Sequence, residues 1–297
     1  MKIGLILKHI DQNKGPGIWG EILWAEALAK GMRQTAPQDN IRLYGYDTGY
    51  IPESLDVAIF FHLPENNKFI GKQNILIFQN IPPDGNMERE ITKYKEYEKQ
   101  GMRIATLYRK LAIKHNWYLL PACVDMDKWQ GIIKGPKDCE YDMMYIGNNI
   151  HDKEVMEKYL NPFLRNEYPN YKIGIFGNGF NKKIPLGQDI EYYNNSVVCL
   201  HFGFTANAKY DGIIGRPLQL AACKSAIVSQ PTESLQEKFG DNVIYVNNTS
   251  DIIQAIDYYK IHPQERHKRI LQAYSILNTH YTAEIVGRLL YEWIQQV

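Results

Sequence analysis

The sequence predicts two consecutive α/β domains, each built around a doubly wound parallel β-sheet. The chain has 297 residues, a length typical of two domains. Short apolar runs alternate with amphipathic stretches along both halves. Residues 126–139, with two glycines, one proline and no hydrophobic period, separate the halves. We therefore expect a first domain over residues 1–125, a linker over 126–139 and a second domain over 140–278.

Six apolar runs in the first half have the length of strands and are expected to form its sheet. They are residues 2–7, 41–46, 57–61, 75–78, 104–107 and 118–121. A helix is predicted between the first two runs, because apolar residues recur at helical spacing from position 18 to 32. A strongly charged helix is expected over residues 87–100, and a third helix after Tyr108.

The second half repeats this alternation with five predicted strands and four predicted helices. The strands are residues 142–146, 172–176, 197–200, 225–229 and 243–246, and the helices are 152–166, 215–223, 250–259 and 282–295. Ser250 and Thr282 are expected to be N-caps, and Pro263 fits the first position of another helix.

Composition excludes several classes of protein. A hydrophobic fraction of 44% and a charged fraction of 23% are normal for a globular protein, and a net charge of +1 excludes a strong overall attraction to nucleic acid or anionic membranes. A local basic patch is still compatible with that sum.

The four cysteines form no Cys-x-x-Cys pair, and no His or Cys cluster has zinc-site spacing. The apolar run after Met1 is too short for a signal peptide, and no run reaches the length of a membrane span. We expect a cytoplasmic protein without a transmembrane segment or a metal.

Several segments resemble one enzyme family. YDGIIGRPLQLAACKSAIVSQPTESLQEKFGDNVIYVNN, from Tyr210, resembles the donor-binding region of GT-B glycosyltransferases, and is most similar to the CgeB-like (spore-maturation type) branch. MMYIGNNIHDKEV, LPACVDMDKW and GPGIWGEILWAEALAKGM resemble the donor-domain opening, the domain-closing segment and the first glycine-rich loop of the glycosyltransferase group 1 family. The resemblance implies two tandem Rossmann-like domains with an interdomain cleft. It also implies a C-terminal helix within residues 279–297 that returns to the first domain.

The resemblance assigns roles to residues of the second half. The family's Glu-x7-Glu pair corresponds to Asp211 and Gln219, which implies a catalytic position near the transferred sugar for Asp211 and ribose contacts for Gln219. Gln219 departs from the family pattern, because an amide accepts a hydrogen bond without a negative charge. The alternative is that Asp211 is an exposed turn residue and Gln219 a residue of the helix surface.

The same resemblance implies that Arg216 and Lys153 face the diphosphate of the donor. Asn148 occupies the place of the family's usual arginine, and this loss increases the importance of Arg216. Lys153 is equally consistent with a solvated residue at the start of a helix.

Two glycine-rich turns are candidate contacts for the nucleotide or the acceptor. Gly177 and Gly179 follow an apolar strand, where backbone amides can approach a phosphate, although such turns often need glycine for other reasons. Gly15 and Gly17 precede the first helix, and the resemblance places their loop at the diphosphate or the acceptor. Neither turn matches the dinucleotide-binding or Walker pattern.

No general base can be assigned from the sequence. Gln79 and Asn80 occupy the place of a histidine that is frequent in the family, and Asn80 is a candidate acceptor contact. His62 is expected to be a hydrogen-bonded loop residue, although a catalytic role is the alternative. His201 is either pocket-lining or an ordinary residue at a strand end, and His280 is expected to be structural.

The predicted function is transfer of a hexosyl or pentosyl group from a nucleotide-diphosphate sugar to an unidentified acceptor. The acceptor is a glycan, a protein, a lipid or a modified base in DNA. Transfer is expected to need no metal and no cofactor other than the donor itself, and the Glu-x7-Glu resemblance implies retention of configuration. The alternatives are a sugar-nucleotide epimerase of the same fold and an inactive nucleotide- or sugar-binding module, to which Gln219 gives some support.

Overall fold

A computed structural model of the 297-residue chain describes residues 1–10, 20–52, 54–64, 69–79, 82, 86–147, 152–180, 184 and 187–296. The chain divides into two compact units. The first unit contains Met1–Asp125 and His280–Val297, and the second contains Met126–Thr279. The C-terminal residues therefore belong to the first unit.

The first unit is built on a six-stranded parallel sheet with the strand order β2-β1-β3-β4-β5-β6. The strands are β1 (Lys2–Leu7), β2 (Asn40–Gly45), β3 (Leu55–Phe60), β4 (Gly71–Phe78), β5 (Arg103–Thr106) and β6 (Tyr118–Leu119). The helices of this unit are α1 (Gly20–Thr35), α2 (Met87–Lys99), α3 (Arg109–His115) and, from the end of the chain, α12 (Ala283–Ile294).

The central strands β1, β3 and β4 form the core of this unit. Residues 3–7, 57–60 and 75–78 are buried almost without exception. A parallel sheet covered on both faces needs such continuous apolar runs, since neither face meets water. The six predicted strands match the observed ones to within a few residues.

Helix α12 packs against α1, as the predicted return of the C-terminal helix requires. The two helices are in close contact at Gly31 and Gly287, where a β-carbon on Gly31 would lie 1.8 Å from the carbonyl oxygen of Ala283. At the other end of α12, the Trp293 ring lies between the Arg103 guanidinium, 3.8 Å from its centroid, and the Tyr118 ring, 4.3 Å away. Glycine at the crossing and stacking at the end hold the helix on this unit.

The second unit has a five-stranded parallel sheet with the order β11-β10-β9-β7-β8. Its strands are β7 (Tyr141–Ile146), β8 (Ile173–Phe176), β9 (Ser196–His201), β10 (Ile227–Ser229) and β11 (Ile244–Tyr245). Its helices are α4 (Lys153–Val155), α5 (Asn161–Leu164), α6 (Asp189–Asn194), α7 (Thr205–Tyr210), α8 (Gly215–Ala222), α9 (Glu233–Phe239), α10 (Thr249–Ile261) and α11 (Pro263–His280).

Two helix boundaries predicted in this region are confirmed and one is wrong. Pro263 begins α11, and the Thr282 side chain accepts a hydrogen bond from the Ile285 amide as the N-cap of α12. Helix α10 begins before Ser250: its N-cap is Asn248, whose side chain accepts from the Asp251 amide. Asparagine is as strong an N-cap as serine, so the earlier residue took this role.

The segment before β7 is part of the second unit. Gly131 lies so close to the end of α8 that a β-carbon there would be 1.9 Å from the Cys223 carbonyl oxygen. Ile133 and Cys139 also pack on the core of this unit. Among the helices that the structure describes, none has the length and apolarity needed to cross a lipid bilayer.

Candidate functional site

The carboxyl edge of the second sheet brings together several polar and glycine residues. Strands β7, β8 and β9 are parallel, so their carboxyl ends lie at one edge. Gly147, Gly177 and Phe202 follow these three ends directly, and α8 begins nearby at Gly215. In open α/β sheets, ligands bind outside the carboxyl ends of the strands. This edge is therefore the candidate site.

Arg216 is the cation of this edge. One of its terminal nitrogens donates to the Ile146 carbonyl at the end of β7 and to the Tyr193 hydroxyl. Burial alone would lower the pKa of Arg216, but Tyr193, Tyr145 and the Asp189 carboxyl raise it above its ordinary value. The guanidinium is therefore charged at any physiological pH.

Asp189 faces this cation from the start of α6. Burial raises the pKa of Asp189 above its ordinary value, although the Arg216 charge acts in the opposite direction. The bonded partners of Arg216 are a carbonyl and a phenol, which carry no charge at neutral pH. The hydrogen-bond partners of Arg216 therefore do not neutralise its charge, and Asp189 is an acidic group that acts on it.

His201 is the last residue of β9, at the same edge of the sheet. It is 7% exposed, and burial, with a smaller contribution from Arg216, lowers its pKa to about 3. The ring is neutral at physiological pH, so it contributes no charge to this edge.

Gly177 and Gly179 form a turn that only glycine accommodates. Their φ angles are 131° and 83°, in the region that favours glycine. A β-carbon on Gly177 would lie 1.8 Å from the Gly147 carbonyl oxygen. The Gly147 amide in turn donates to the Phe176 carbonyl at 2.9 Å. The strand ends of β7 and β8 therefore meet backbone to backbone, beside the Ile146 carbonyl that binds Arg216.

Asp211 lies in the turn between α7 and α8 and is 1% exposed, in contrast to the exposed turn residue considered as the alternative. Its φ of 59° is left-handed. One carboxylate oxygen accepts from the Ser234 amide and the other from the Ser234 hydroxyl, each at 2.7 Å. The carboxylate thus ties the turn before Arg216 to the first turn of α9. The catalytic role of Asp211 stays a prediction.

Gln219 and Lys153 occupy different surroundings. Gln219 follows Arg216 by three residues on α8 and is half-buried. Its side-chain amide makes no hydrogen bond to another residue of the described chain. Lys153 is exposed at the start of α4. The preceding Asp152 fixes this end of the helix, because it accepts from the Thr205 amide at 2.8 Å and hydroxyl at 2.7 Å.

The structure thus brings Arg216 and the Gly177 turn to one edge, and links Lys153 to the same edge through Asp152 and Thr205. Gly15, Gly17, Asn80 and Asn148 lie outside the described residues. Sequence reasoning missed Tyr193 and Asp189. Their only signal is a spacing of four residues in a six-residue helix, which matches no motif.

No group of three or more His, Cys, Asp or Glu side chains within the described ranges is arranged to hold a metal ion. In the first unit, the carboxyl edge of the sheet carries His62 and Gln79. His62 lies 2.6 Å from Glu21, and the Gln79 amide donates to the Phe61 carbonyl at 3.0 Å.

Comparison with known proteins gives one family match and many structural matches. Residues 156–290 match the family described as glycosyl transferase-like. No curated protein matches the sequence.

The structural matches cover almost the whole chain. The crystal structure of T4 phage BGT in complex with its UDP-glucose substrate is similar with a TM-score of 0.65, at 16% identity over 100% of this chain and 99% of that one. The T4 phage protein has also been solved with UDP and Mn²⁺. An alpha-glucosyltransferase in complex with UDP-glucose and DNA containing an abasic site has a TM-score of 0.65 at 10% identity, with 99% of each chain covered. AviGT4, a glycosyltransferase involved in avilamycin A biosynthesis, has a TM-score of 0.59 at 11% identity, covering 100% of this chain and 98% of that one.

Identities this low establish the fold alone, and they do not test the CgeB-like branch. The two parallel-sheet units have the predicted GT-B fold. With the sequence match over residues 156–290, the chain is a glycosyltransferase, as predicted.

Proposed function

We propose that this glycosyltransferase takes its sugar from a UDP-sugar bound at the carboxyl edge of the second sheet. The observation that carries the proposal is the position of Arg216, a charged guanidinium with neutral hydrogen-bond partners beside the backbone contact of Gly147 and Gly177. Two proteins of the same fold hold UDP-glucose in their crystal structures. A diphosphate is the anion that a guanidinium beside a glycine turn suits best.

In this proposal each residue of the edge has one task. Arg216 neutralises the negative charge that develops on the departing diphosphate. Such electrostatic stabilisation of the transition state is usually the largest single contribution to the rate of an enzymatic transfer. The Gly177 and Gly179 turn presents backbone amides, Lys153 adds a second positive charge, and the Gln219 amide accepts from the ribose hydroxyls. Asp211 positions the turn that carries Arg216 and lies near the transferred sugar.

For the acceptor, we favour a base in DNA that carries a hydroxyl group. An alpha-glucosyltransferase of the same fold has been solved on DNA. In this chain, residues 107–124 contain Arg109, Lys110 and Lys114 but no Asp or Glu. A basic segment of this kind contacts phosphates and positions a nucleic acid without reading its sequence. Gly15, Gly17 and Asn80 remain candidate acceptor contacts.

Two finer points stay predictions. Retention of configuration follows only from the Glu-x7-Glu resemblance, and the similar structures include both an alpha-glucosyltransferase and the T4 phage BGT, named a beta-glucosyltransferase. Metal-independent transfer is also expected, although the T4 phage protein has been solved with Mn²⁺. Activity in EDTA, compared with activity in added Mn²⁺, tests the second point directly.

The proposal is tested by transfer of radiolabelled glucose from UDP-glucose to a DNA duplex that contains a hydroxymethyl pyrimidine. We expect label in this duplex and none in an unmodified one.

Arg216→Gln should reduce transfer at least about 100-fold, because a preorganised charge at the leaving group is lost. Arg269→Gln is the control, since Arg269 pairs with Glu265 on α11 and lies over the Tyr258 ring. Equal transfer by both variants would exclude Arg216 from the site, and binding of UDP-glucose without any turnover would favour the inactive module.

A further inference from the structure

The guanidinium of Arg216 is anchored through a single nitrogen. Nη1 donates to the carbonyl of Ile146, the last residue of β7, and to the hydroxyl of Tyr193 on α6. A terminal guanidinium nitrogen carries two hydrogens, so these two bonds use both of them. Within the described ranges, Nε and Nη2 make no hydrogen bond to the protein. Their hydrogens form a fork that matches two oxygens of a phosphate.

Tyr193, the second anchor, is itself held in place. It is 1% exposed, and its carbonyl accepts from the Cys199 thiol of β9 at 3.5 Å. Two residues further on, the Asn195 carbonyl accepts from the Tyr141 amide at 2.9 Å. Helix α6 ends just before β9 begins. Because a helical side chain leans toward the start of its helix, the Tyr193 ring points from the amino end of β9 toward the carboxyl edge.

The phenol of Tyr193 holds the cation without cancelling its charge. Burial raises the pKa of Tyr193, so its hydroxyl stays protonated and neutral at physiological pH. A carboxylate in the same place would form an ion pair with Arg216 and weaken its attraction for a phosphate. Asp189, one turn earlier on α6, acts on the cation electrostatically but is not one of its hydrogen-bond partners.

We propose that Tyr193 is a positioning residue of the donor site, which holds Arg216 so that the hydrogens of Nε and Nη2 face the diphosphate. This inference rests on the proposed function, because it needs a diphosphate beside Arg216. A long side chain loses rotational freedom when it binds a ligand. Two anchors on Nη1, one from the sheet and one from α6, remove much of that freedom before the ligand arrives. Less is then lost on binding, and the charge is already in place.

The first test is Tyr193→Phe, which removes the hydroxyl and keeps the ring. The Kd of UDP, measured by calorimetry, should rise about 10- to 100-fold, the usual effect of losing a hydrogen bond to a charged group. Tyr171→Phe is the matched control. It also removes a buried-side hydroxyl bond, from Tyr171 to the Asp257 carboxylate, but Tyr171 lies before the start of β8, at the opposite edge of the sheet. The control should bind UDP as wild type does.

Uridine separates positioning from a general disturbance of the fold. It has the base and the ribose of UDP but no phosphate, so it does not need the Arg216 fork. Tyr193→Phe should therefore bind uridine with the wild-type Kd, measured by NMR titration, and UDP more weakly. Equal weakening of both ligands would show a structural role and overturn the inference.

A double-mutant cycle tests whether Tyr193 acts through Arg216. Two residues that act as one unit do not have additive effects. In the Arg216→Gln background, Tyr193→Phe should change the Kd of UDP by less than about 2-fold. A further loss as large as in the wild-type background would contradict positioning through Arg216.

One measurement on the wild-type protein serves even if Tyr193→Phe does not fold. The Nη1 protons of Arg216 should give NMR signals distinct from those of Nη2, because two hydrogen bonds slow rotation about the Cζ–Nη1 bond. Averaged signals would contradict the anchor. Failure of UDP to bind wild-type protein, or undiminished binding in Arg216→Gln, would instead reject the proposed function. Weak binding in Arg216→Gln with wild-type binding in Tyr193→Phe would reject only this inference.

Discussion

The chemistry of the donor site depends on a few residues whose charges are set by their neighbours. Arg216 keeps its charge because phenols and the Asp189 carboxyl offset its burial, while Asp189 itself has a raised pKa. His201 stays neutral below the same edge. One cation with neutral hydrogen-bond partners is a suitable receptor for a diphosphate, whose charge grows as the bond to the sugar breaks.

The neutral state of His201 predicts a loss of stability in mild acid. An unfolded histidine titrates near pH 6.5, whereas His201 titrates at about 3 in the folded protein. Between these values the unfolded chain binds more protons, so the free energy of unfolding falls as the pH drops from 6.5 towards 3. Urea denaturation at pH 8 and pH 5 should show a contribution of about 2 kcal/mol that is absent in His201→Gln. A variant with the same pH dependence as wild type would show that His201 is not buried in its neutral form.

At the scale of elements, the contact between α1 and α12 depends on two glycines. The helices meet at Gly31 and Gly287, where backbone atoms of one helix take the space of a β-carbon on the other. A carbonyl oxygen cannot move aside as a flexible side chain can, so this crossing allows no larger residue.

Gly31→Ala should therefore destabilise the first unit by about 2–3 kcal/mol, the usual cost of overpacking, although alanine is the better helix former. Thermal or urea unfolding measures this loss. Gly215→Ala is the matched control, because no atom lies within 4 Å of a β-carbon there, and we expect no loss of stability from it. Equal stability of Gly31→Ala and wild type would mean that α12 does not pack at this distance.

Whether an element was predicted depends on how much of its characteristic sequence pattern it contains. Buried strands such as β1 and β9 were predicted well, because a parallel core demands continuous apolar runs. Helices α6, α7 and α9 were not predicted, since six or seven residues hold too little of a helical period to be recognised. The helix expected over residues 152–166 is interrupted by a π-helical turn at Met156–Leu160, just before Pro162, which has no amide proton to continue the helical hydrogen bonds.

The site was predictable only where local sequence determines it. Gly177 could be identified from its place after a strand, and Arg216 from the resemblance to other donor domains. The burial of Asp211 depends on Ser234, 23 residues away, and the pairing of Glu21 with His62 joins residues 41 positions apart. Contacts over such separations are set by the sheet order, which no local pattern encodes.

At the scale of the whole molecule, the two units share one design: each places its polar residues at the carboxyl edge of a parallel sheet. The first unit has Glu21, His62 and Gln79 there, and the second has Arg216 and the Gly177 turn. The edge of the second unit is the one at which we propose that the donor binds.

The second unit also offers a competing basic pocket of about 360 Å³, lined by Lys134, Arg266 and His267 among others. It lies at the opposite edge of the sheet, because Arg266 donates to the carbonyls of Ser196 and Val197 at the start of β9. Its cations are already bound, Arg266 to three carbonyls and Lys134 to Asn195. We therefore expect UDP to bind at the carboxyl edge and not at this pocket.

Hydrogen exchange with and without UDP tests this central claim most directly. At a UDP concentration of 100 Kd, binding should stabilise the folded protein by about 2.7 kcal/mol. Protection should appear in peptides that contain Gly147, Gly177 and Arg216, and it should be lost in Arg216→Gln but kept in Arg269→Gln. Protection around Arg266 and His267 instead, or no protection anywhere in the second unit, would contradict a donor site at the carboxyl edge.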